Sequence, residues 1–192
     1  MDFQGKPILI AALDAALSAH LPKEQPSAVA QVLRRLFADP RVRLPAQLKA
    51  TVDGHYARRE LHLSPSLGYS VVAMAWAPGQ GTPLHDHDGA WCVEGVWQGR
   101  LQVQDYELSG HEGQLCRFKR GSCSQIALGQ TGLLSPPGEH HVVHNPDPQE
   151  VAVSIHVYQR RLLRCHVYLP EDEQPNQESA LYRRQVMNLA VD

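Results

Sequence analysis

The stretch PGQGTPLHDHDGAWCVEGVWQG, residues 78–99, carries two histidines separated by one residue, His85 and His87, after a turn rich in proline and glycine. Side chains at positions i and i+2 of a β-strand point to the same face, so the two imidazoles are predicted to project together. A lone histidine is usually a surface or core residue, whereas a pair at this spacing indicates two ligands of one metal ion.

A second histidine cluster, PPGEHHVVHN at residues 136–145, offers a third imidazole. His140, His141 and His144 compete for this place. On a regular strand His140 and His144 share one face and His141 lies on the other. One imidazole from this cluster can complete a set of three on a single metal ion.

Short apolar or alternating runs surround both clusters, and turn residues such as Pro65, Gly99, Gly110 and Gly121 separate them. Many short strands at this spacing are typical of an antiparallel sandwich or barrel rather than of βαβ units. The sequence therefore predicts an all-β fold after about residue 53. The predicted strands cover 56–63, 69–77, 91–97, 100–107, 115–119, 132–135, 140–144 and 151–158.

The first 52 residues have a helical pattern instead. Apolar residues recur at helical spacing over 7–20 and 26–38, a poorer run spans 44–52, and these helices are expected to cover a sheet. The tail, residues 171–192, is polar at first and then predicts a short helix over ALYRRQVMNLA, residues 180–190. No repeat or linker separates these parts, so residues 1–192 are predicted to form a single domain with its barrel over 53–170.

Composition narrows the partners and the location. The 18 Lys and Arg against 20 Asp and Glu leave a net charge of -2, which favours neither a nucleic acid nor a membrane as partner. No apolar run approaches the roughly 20 residues of a membrane span, and MDFQGKPILI is not a signal peptide. Four cysteines without CxxC pairing predict reduced thiols in a cytoplasmic protein. The sequence leaves the oligomeric state open.

Both clusters fit known motifs. The first resembles the first motif of the cupin superfamily, with a cysteine where a glutamate is usual, formed by Gly79, His85, His87, Cys92 and Gly99. The second resembles the second cupin motif, formed by Pro136, Gly138, His141 and Asn145. With Ser154-x-His156-x-Tyr158 and Tyr56-x-Arg58, the pattern over about residues 50–170 is similar to the thiol dioxygenases of the cysteine dioxygenase type.

This resemblance implies a cupin fold, a double-stranded β-helix or jelly-roll barrel, with Fe²⁺ held by His85, His87 and His141. Many non-haem ferrous oxygenases bind iron through two histidines and one carboxylate. A third histidine leaves the ligand set neutral, so the ion keeps its full charge for incoming anions such as a thiolate. Three histidines also suit Zn²⁺, which is the main alternative.

The run 151–158 alternates, with Ser154, His156 and Tyr158 on one face of the predicted strand. A polar row inside a small barrel is costly unless its members hydrogen-bond one another or a ligand. The alternative is a polar face turned to solvent. The resemblance implies the inward arrangement and a catalytic relay, in which Ser154 contacts His156 and His156 contacts the Tyr158 phenol near the metal.

The resemblance implies further roles around this relay. Tyr56 and Arg58 share a face of a strand, and Arg58 is implied to hold a substrate carboxylate through two parallel hydrogen bonds. Cys92 is implied to form a thioether crosslink with Tyr158, with a plain buried cysteine as the alternative. Arg164 is a second candidate anion site, and a solvated basic edge is its simpler explanation.

The resemblance implies an Fe(II)-dependent dioxygenase that oxidises a small thiol carboxylic acid to its sulfinic acid with both atoms of O2. Cysteine is the first expected substrate and 3-mercaptopropionate the next. Mercaptosuccinate needs a second cation for its second carboxylate, a role open to Arg164 or Arg59. Two other classes stay open: a Zn²⁺ or Mn²⁺ cupin that acts as an isomerase or hydrolase, and a non-catalytic cupin that binds a small ligand.

Overall fold

The computed structural model describes residues 1–171 and 179–190, in which two α-helices and a short 3₁₀ helix precede eleven β-strands. The helices are α1 (Lys6–Ala19), α2 (Gln25–Phe37) and the 3₁₀ helix (Ala46–Lys49). The strands are β1 (Ala57–Leu63), β2 (Ser70–Trp76), β3 (Leu84–His85), β4 (Cys92–Gln98), β5 (Arg100–Glu112), β6 (Leu115–Ala127), β7 (Thr131–Leu134), β8 (His141–His144), β9 (Ala152–Tyr158), β10 (Arg164–Pro170) and β11 (Ser179–Asn188).

The strands form two antiparallel sheets. One has the order β1-β2-β9-β4-β7, and the other closes as β10-β11-β6-β5-β8-β3. Strand β9 occupies the middle of the first sheet, where β2 pairs with one of its edges and β4 with the other. This arrangement confirms the predicted all-β cupin barrel with helices at its N-terminal side.

The helices pack on the outer face of the five-stranded sheet. Leu13 of α1 and Leu33 of α2 are fully buried in one cluster with Ile155 and Val157 of β9. The two predicted helices are confirmed, because their apolar residues form a continuous stripe that the sheet buries. The predicted run 44–52 shrinks to the 3₁₀ helix. No helix in the described ranges is long and apolar enough to cross a membrane.

Both faces of β9 are therefore buried, and its alternation separates two environments. Ile155 and Val157 face the helices, whereas Tyr158 belongs to the cluster that fills the barrel interior. Since side chains alternate along a strand, Ser154 and His156 face the interior with Tyr158. Their exposed fractions are 0% and 4%, so the polar face turned to solvent is excluded.

Gly99 makes the turn from β4 to β5 and has a φ of 74°. A Cβ atom at this position would lie 3.1 Å from the Cα of Ala152 at the start of β9. Both the positive φ and the close approach require glycine. The conformation and the close packing of the backbone thus explain why the last position of the first motif is a glycine.

The helix predicted over residues 180–190 is wrong. Residues Ser179–Asn188 form β11, which pairs with β10 on one side and β6 on the other. Ala180 and Tyr182 alternate into a buried cluster around Phe118, and this pairing overrides the helix propensity of the leucine, arginine and glutamine side chains. The polar stretch 172–178 lies outside the described residues.

Other strands also differ from the sequence pattern. Strands β3 and β10 are not predicted, and β5 and β6 form a longer hairpin than expected, with 13 residues in each strand. Residues 119–125 of β6 are all exposed. They carry no apolar alternation, so backbone pairing, to β5 and at Lys119 also to β11, makes them a strand.

Replacement of Asn145 by alanine is expected to lower the free energy of unfolding by about 1–3 kcal/mol, because it leaves buried backbone groups without their hydrogen-bond partner. The Asn145 side chain is fully buried. Its Nδ2 donates to the carbonyl oxygens of Trp76 at 3.0 Å and Glu150 at 2.9 Å, and its Oδ1 accepts from the Asp147 amide at 3.1 Å. Urea unfolding measures the change. The exposed Asn188→Ala control is expected to stay within about 0.5 kcal/mol; equal losses in both variants would contradict this role.

Candidate metal centre

Three histidines converge inside the barrel. His85 on β3 and His141 on β8 are directly paired across the two strands, and His87 follows two residues after His85. Each ring offers one nitrogen, and the three nitrogens lie within 4.8 Å of one another. The distances between ring centroids are 4.4 Å for His85 and His141, 5.1 Å for His87 and His141, and 5.3 Å for His85 and His87.

Backbone carbonyls orient two of these rings. Nδ1 of His85 lies 3.1 Å from the carbonyl oxygen of Pro83, and Nδ1 of His141 lies 2.8 Å from that of Glu139. An Nδ1 that donates to a carbonyl carries the hydrogen and leaves the Nε2 lone pair for a metal ion. Nδ1 of His87 is buried without a hydrogen-bond partner in the described part of the chain. Such a ring is costly to bury unless another bond, such as one to an ion, holds it.

Burial keeps the three imidazoles uncharged. Desolvation lowers the pKa of His85. Desolvation, with the neighbouring imidazoles second, lowers the pKa of His87 and of His141 well below the ordinary value. The neutral imidazole is the form that binds a metal, and no carboxylate belongs to this ligand cluster among the described residues. The three side chains therefore fit a divalent transition-metal ion.

The two competing histidines lie elsewhere. The ring of His140 packs against Phe118 at a centroid distance of 5.0 Å and against Tyr168 at 5.5 Å. His144 pairs with Gln102 at the far end of β8. Of the three histidines in the second cluster, the fold brings His141 to the other two.

Asp86, between the two ligand candidates, is buried rather than at the surface. Its carboxylate accepts from the His166 amide at 2.9 Å, the Tyr168 hydroxyl at 2.9 Å and the Asp88 amide at 3.0 Å, and it lies 2.9 Å from Nδ1 of His166. Burial alone raises the pKa of Asp86, but these donors outweigh it and hold the pKa below its usual value. Asp86 thus ties the ligand loop to β10.

Ser154, His156 and Tyr158 form one buried polar row. The indole N–H of Trp76 donates to Ser154 Oγ at 2.9 Å, and Ser154 Oγ lies 2.8 Å from Nε2 of His156. Nδ1 of His156 lies 3.8 Å from the sulfur of Cys92. The imidazole meets the Tyr158 ring by stacking, with a centroid distance of 6.0 Å and an interplanar angle of 17°. The rings of His156 and Tyr158 are therefore nearly parallel neighbours on one face of β9.

Cys92 and Tyr158 are cross-strand neighbours in the register of β4 and β9. Burial raises the pKa of the Cys92 thiol well above its ordinary value, and a hydrogen bond with Tyr158 opposes this rise. The Tyr158 ring also meets the His87 ring, with a centroid distance of 5.5 Å. Tyr158 thus neighbours both the cysteine and the histidine cluster.

Tyr56 and Arg58 line the same cavity as the three histidines, and its empty space, including the part open to solvent, is about 370 Å³. The Arg58 guanidinium donates to the carbonyl oxygen of Leu162 at 3.1 Å and lies 5.9 Å from the centroid of the Tyr158 ring. The Tyr56 ring stacks on Trp76 at 4.5 Å. A fixed cation and a phenol therefore face the histidine cluster across a small cavity.

The sequence match decides the family. Residues 47–171 match the family model described as "Cysteine dioxygenase type I". The chain belongs to this family.

Curated relatives agree with this assignment. Cysteine dioxygenase type 1 from Danio rerio is 25% identical over 100 residues, which cover 52% of this chain and 49% of the relative. The Rattus norvegicus protein of the same name is 23% identical over 121 residues, which cover 63% of this chain and 60% of the relative. The match therefore spans about half to three fifths of the length of these relatives.

Two solved structures are similar to this cysteine dioxygenase family member. TT1209 from Thermus thermophilus is 20% identical, with a TM-score of 0.45 and coverage of 61% of this chain and 94% of that chain. A protein with a double-stranded β-helix domain from Klebsiella pneumoniae is 17% identical, with a TM-score of 0.46 and coverage of 63% and 85%.

Two arginines are not brought to the cavity. Nε of Arg164 lies 3.4 Å from the carboxylate of Asp88 on an exposed edge. Nη1 of Arg59 lies 3.5 Å from the carbonyl oxygen of Leu48, towards the 3₁₀ helix. Neither belongs to the described residues that line the cavity.

Sequence reasoning missed Glu94 on β4. Its side chain is 3% exposed, and its Oε2 lies 3.9 Å from Nδ1 of His156. Burial, with the charge of Asp105 second, raises the pKa of Glu94 to about 7. The available signal was a single carboxylate in the apolar run WCVEGVW, two residues after Cys92 and hence on the same face of the strand.

Replacement of His141 by alanine is expected to weaken metal binding by more than about 100-fold, because loss of a ligand exceeds the 10–100-fold effect typical of outer-shell changes. The matched control is His140→Ala, which removes the adjacent buried imidazole and is expected to keep the metal. Metal content after dialysis, with Fe²⁺ and Zn²⁺ offered separately, measures both. If His141→Ala retained the metal and His140→Ala lost it, the third ligand would be His140 instead of His141.

Proposed function

We propose that this protein is an Fe(II)-dependent thiol dioxygenase that converts a small thiol carboxylic acid and O2 into the sulfinic acid. The thiol sulfur is oxidised, and both oxygen atoms end on it. The observation that carries the proposal is that three neutral histidine nitrogens within 4.8 Å of one another share a cavity with Arg58 and Tyr158. Membership of the cysteine dioxygenase type I family supports it.

His85, His87 and His141 would hold the ion. Bound Fe²⁺ would supply a Lewis acid that lowers the pKa of the substrate thiol and a redox centre for O2. Burial keeps these imidazoles neutral, and no carboxylate belongs to the ligand cluster among the described residues. An uncharged ligand set favours binding of an anionic substrate.

Arg58 would hold the substrate carboxylate. Its guanidinium is anchored at the cavity wall by the carbonyl oxygens of Leu162 at 3.1 Å and Ala190 at 3.4 Å. A guanidinium has five N–H donors in one plane, and two parallel donors of such a group match a carboxylate. Tyr56, fixed by stacking on Trp76, would add a neutral wall beside it, so the thiol end of the substrate would point towards the histidines.

The positions of the other arginines favour a substrate with one carboxylate. Arg164 is paired with Asp88 outside the cavity, and Arg59 contacts Leu48 on the other face of β1. A second carboxylate would lack a cation within the described lining. We therefore propose cysteine as the first substrate and 3-mercaptopropionate as the next, ahead of mercaptosuccinate.

Tyr158 would serve as the proton donor of the site. Burial, with Cys92 second, raises the pKa of the Tyr158 phenol well above its ordinary value, so the hydroxyl keeps its hydrogen at neutral pH. It can donate this hydrogen to the bound substrate or to oxygen in the cavity. Ser154 and His156 would hold the phenol in place through the stacked imidazole.

The register of β4 and β9 supports a thioether between Cys92 and Tyr158. Formation of the bond between sulfur and a ring carbon breaks the thiol S–H and one ring C–H bond. Two protons and two electrons leave the protein, and O2, the oxidant of the proposed reaction, takes up both and becomes hydrogen peroxide. The crosslink would fix the phenol next to the histidine cluster.

The location belongs to the same proposal. All four cysteines are free, as expected in a reducing compartment. We therefore propose a cytoplasmic enzyme whose partners are a small thiol carboxylate and O2.

Purified protein loaded with Fe²⁺ is expected to consume one molecule of O2 for each molecule of cysteine or 3-mercaptopropionate that it oxidises. With ¹⁸O2, each sulfinic acid is expected to contain two labelled oxygen atoms. An oxygen electrode measures the O2 uptake and mass spectrometry measures the label in the product. Mercaptosuccinate is assayed in the same way for comparison. His85→Ala is expected to abolish both iron and activity. A flat trace with every thiol, on protein shown to hold iron, would overturn the proposal, and protein that retains only Zn²⁺ or Mn²⁺ would favour an isomerase or hydrolase.

Arg58→Gln serves as the substrate control in the same assay. Charged hydrogen bonds contribute about 1.5–3 kcal/mol, so kcat/KM for carboxylate thiols is expected to fall by about 10–100-fold. Cysteamine, a thiol without a carboxylate, is expected to be unaffected by this change. Arg59→Gln is expected to leave all thiols unchanged. A uniform loss with every thiol would show that Arg58 does not bind the carboxylate.

A Cys92–Tyr158 thioether is expected to lower the intact mass by the mass of two hydrogens after turnover with Fe²⁺, substrate and O2. Cys92→Ser is expected to prevent the change. Cys165→Ser removes another cavity thiol and is expected to preserve it. An unshifted mass after many turnovers would remove the crosslink from the proposal.

A further inference from the structure

We propose that Glu94 is a positioning residue for the polar row: its carboxyl accepts the Nδ1 hydrogen of His156 and holds the imidazole against Cys92 and Tyr158. The catalytic importance of this role rests on the proposed function. The hydrogen bond itself does not, and it can be tested without turnover.

The tautomer of His156 follows from its neighbours. The indole nitrogen of Trp76 can only donate, so Ser154 Oγ accepts its hydrogen at 2.9 Å. The fully buried Ser154 hydroxyl then needs an acceptor for its own hydrogen, and Nε2 of His156 lies 2.8 Å away. Nε2 therefore presents its lone pair, and the hydrogen of the neutral ring is on Nδ1. Burial lowers the pKa of His156 to about 3, which keeps the ring neutral.

Two atoms can accept the Nδ1 hydrogen. Cys92 Sγ lies at 3.8 Å and Glu94 Oε2 at 3.9 Å, and sulfur is the weaker acceptor. Neither carboxyl oxygen of Glu94 has a hydrogen-bond partner among the described residues. Glu94 and His156 are direct partners in the register of β4 and β9. The carboxyl needs a hydrogen-bond donor and the Nδ1 hydrogen needs an acceptor, so each group can satisfy the other. A rotation of the carboxyl can close the separation between them.

The surrounding strands leave room for this carboxyl. A Cβ atom at Gly132 on β7 would lie 3.1 Å from Oε1 of Glu94 and 3.0 Å from the side chain of Ile126. Burial of a carboxyl beside such apolar neighbours is costly unless it is hydrogen-bonded. An apolar side chain would fill the same place without this cost, so a role for the carboxyl towards His156 accounts for its presence.

Ionisation of Glu94 then couples pH to the geometry of the polar row. The titratable groups that face it are His156 and Tyr158 on β9, Cys92 on its own strand and, through space, Asp105 on β5. Its neighbours on β6 and β7 do not titrate. Loss of the Glu94 proton strengthens its acceptor oxygen and draws the Nδ1 hydrogen towards it.

Nitrogen NMR tests the hydrogen bond directly. The full-length chain is labelled with ¹⁵N-histidine and loaded with Zn²⁺ as a diamagnetic ion, and His156→Gln assigns the signals. We expect a protonated Nδ1, an unprotonated Nε2 and one pH-dependent shift of Nδ1 that follows the ionisation of Glu94. Glu94→Gln is expected to keep the tautomer, because its amide oxygen accepts, and to lose the pH-dependent shift. Glu94→Leu is expected to lose both the pH-dependent shift and the slow solvent exchange of the Nδ1 hydrogen.

Kinetics test the positioning role. Glu94→Leu is expected to lower kcat about tenfold with KM unchanged, because a displaced phenol affects the reacting geometry. Glu94→Gln is expected to recover most of kcat at neutral pH and to flatten its pH profile. The exposed Glu107→Gln is the matched control and is expected to behave as wild type.

Two results would overturn the inference: an Nε2-protonated His156 in the wild-type chain, or Glu94→Leu with wild-type Nδ1 exchange and a wild-type kcat. If no thiol supports O2 uptake, the proposed function fails while the NMR comparison still decides whether Glu94 holds His156. Thermal unfolding of each variant verifies that it is folded.

Discussion

The burial of β9 on both faces is the constraint on which the rest of the structure depends. Helices α1 and α2 cover Ile155 and Val157, so the alternate residues of the same strand are forced into the barrel interior. There Ser154, His156 and Tyr158 cannot use solvent and must satisfy one another or a ligand. An otherwise ordinary core contact between helices and sheet thus creates the polar wall of the cavity.

The neighbours of β9 complete that wall through strand register. Strand β2 brings Trp76 to Ser154, and β4 brings Cys92 opposite Tyr158 and Glu94 opposite His156. The histidine cluster comes from the other sheet, where β3 and β8 pair at His85 and His141. The site is therefore built between two sheets, one that supplies ligand candidates and one that supplies hydrogen-bonding groups. A shift of one residue in the β4–β9 register would turn Cys92 and Glu94 out of the interior.

The sequence could predict the features that depend on spacing within one segment. The spacing of His85 and His87 predicts that their imidazoles project together, and they do so although His87 lies beyond the end of β3. The motif spacing selects His141, which the fold brings to them. Features that depend on long-range pairing were harder to predict. Strand β11 lacks a local signal because its inward residues, Ala180 and Tyr182, alternate with good helix formers.

Glu94 and the outlying arginines show the same limit. The role of a carboxylate in an apolar run cannot be predicted before the strand register is known, because the register places Glu94 opposite His156. Arg164 was an open choice because its partner, Asp88, lies 76 positions earlier in the chain. The contact between His156 and Tyr158 depends on ring orientation, which no residue pattern encodes.

The hydrogen bonds of Asp86 have a consequence for how the protein acquires its ion. They join the ligand loop to β10 by protein groups alone, so the loop that carries His85 and His87 has anchors other than an ion. A site anchored in this way is expected to stay folded when a chelator removes its ion, in contrast to zinc-dependent miniature folds. Metals that accept imidazole differ in affinity, so the ion found in the purified protein is expected to vary with the metals supplied in the growth medium.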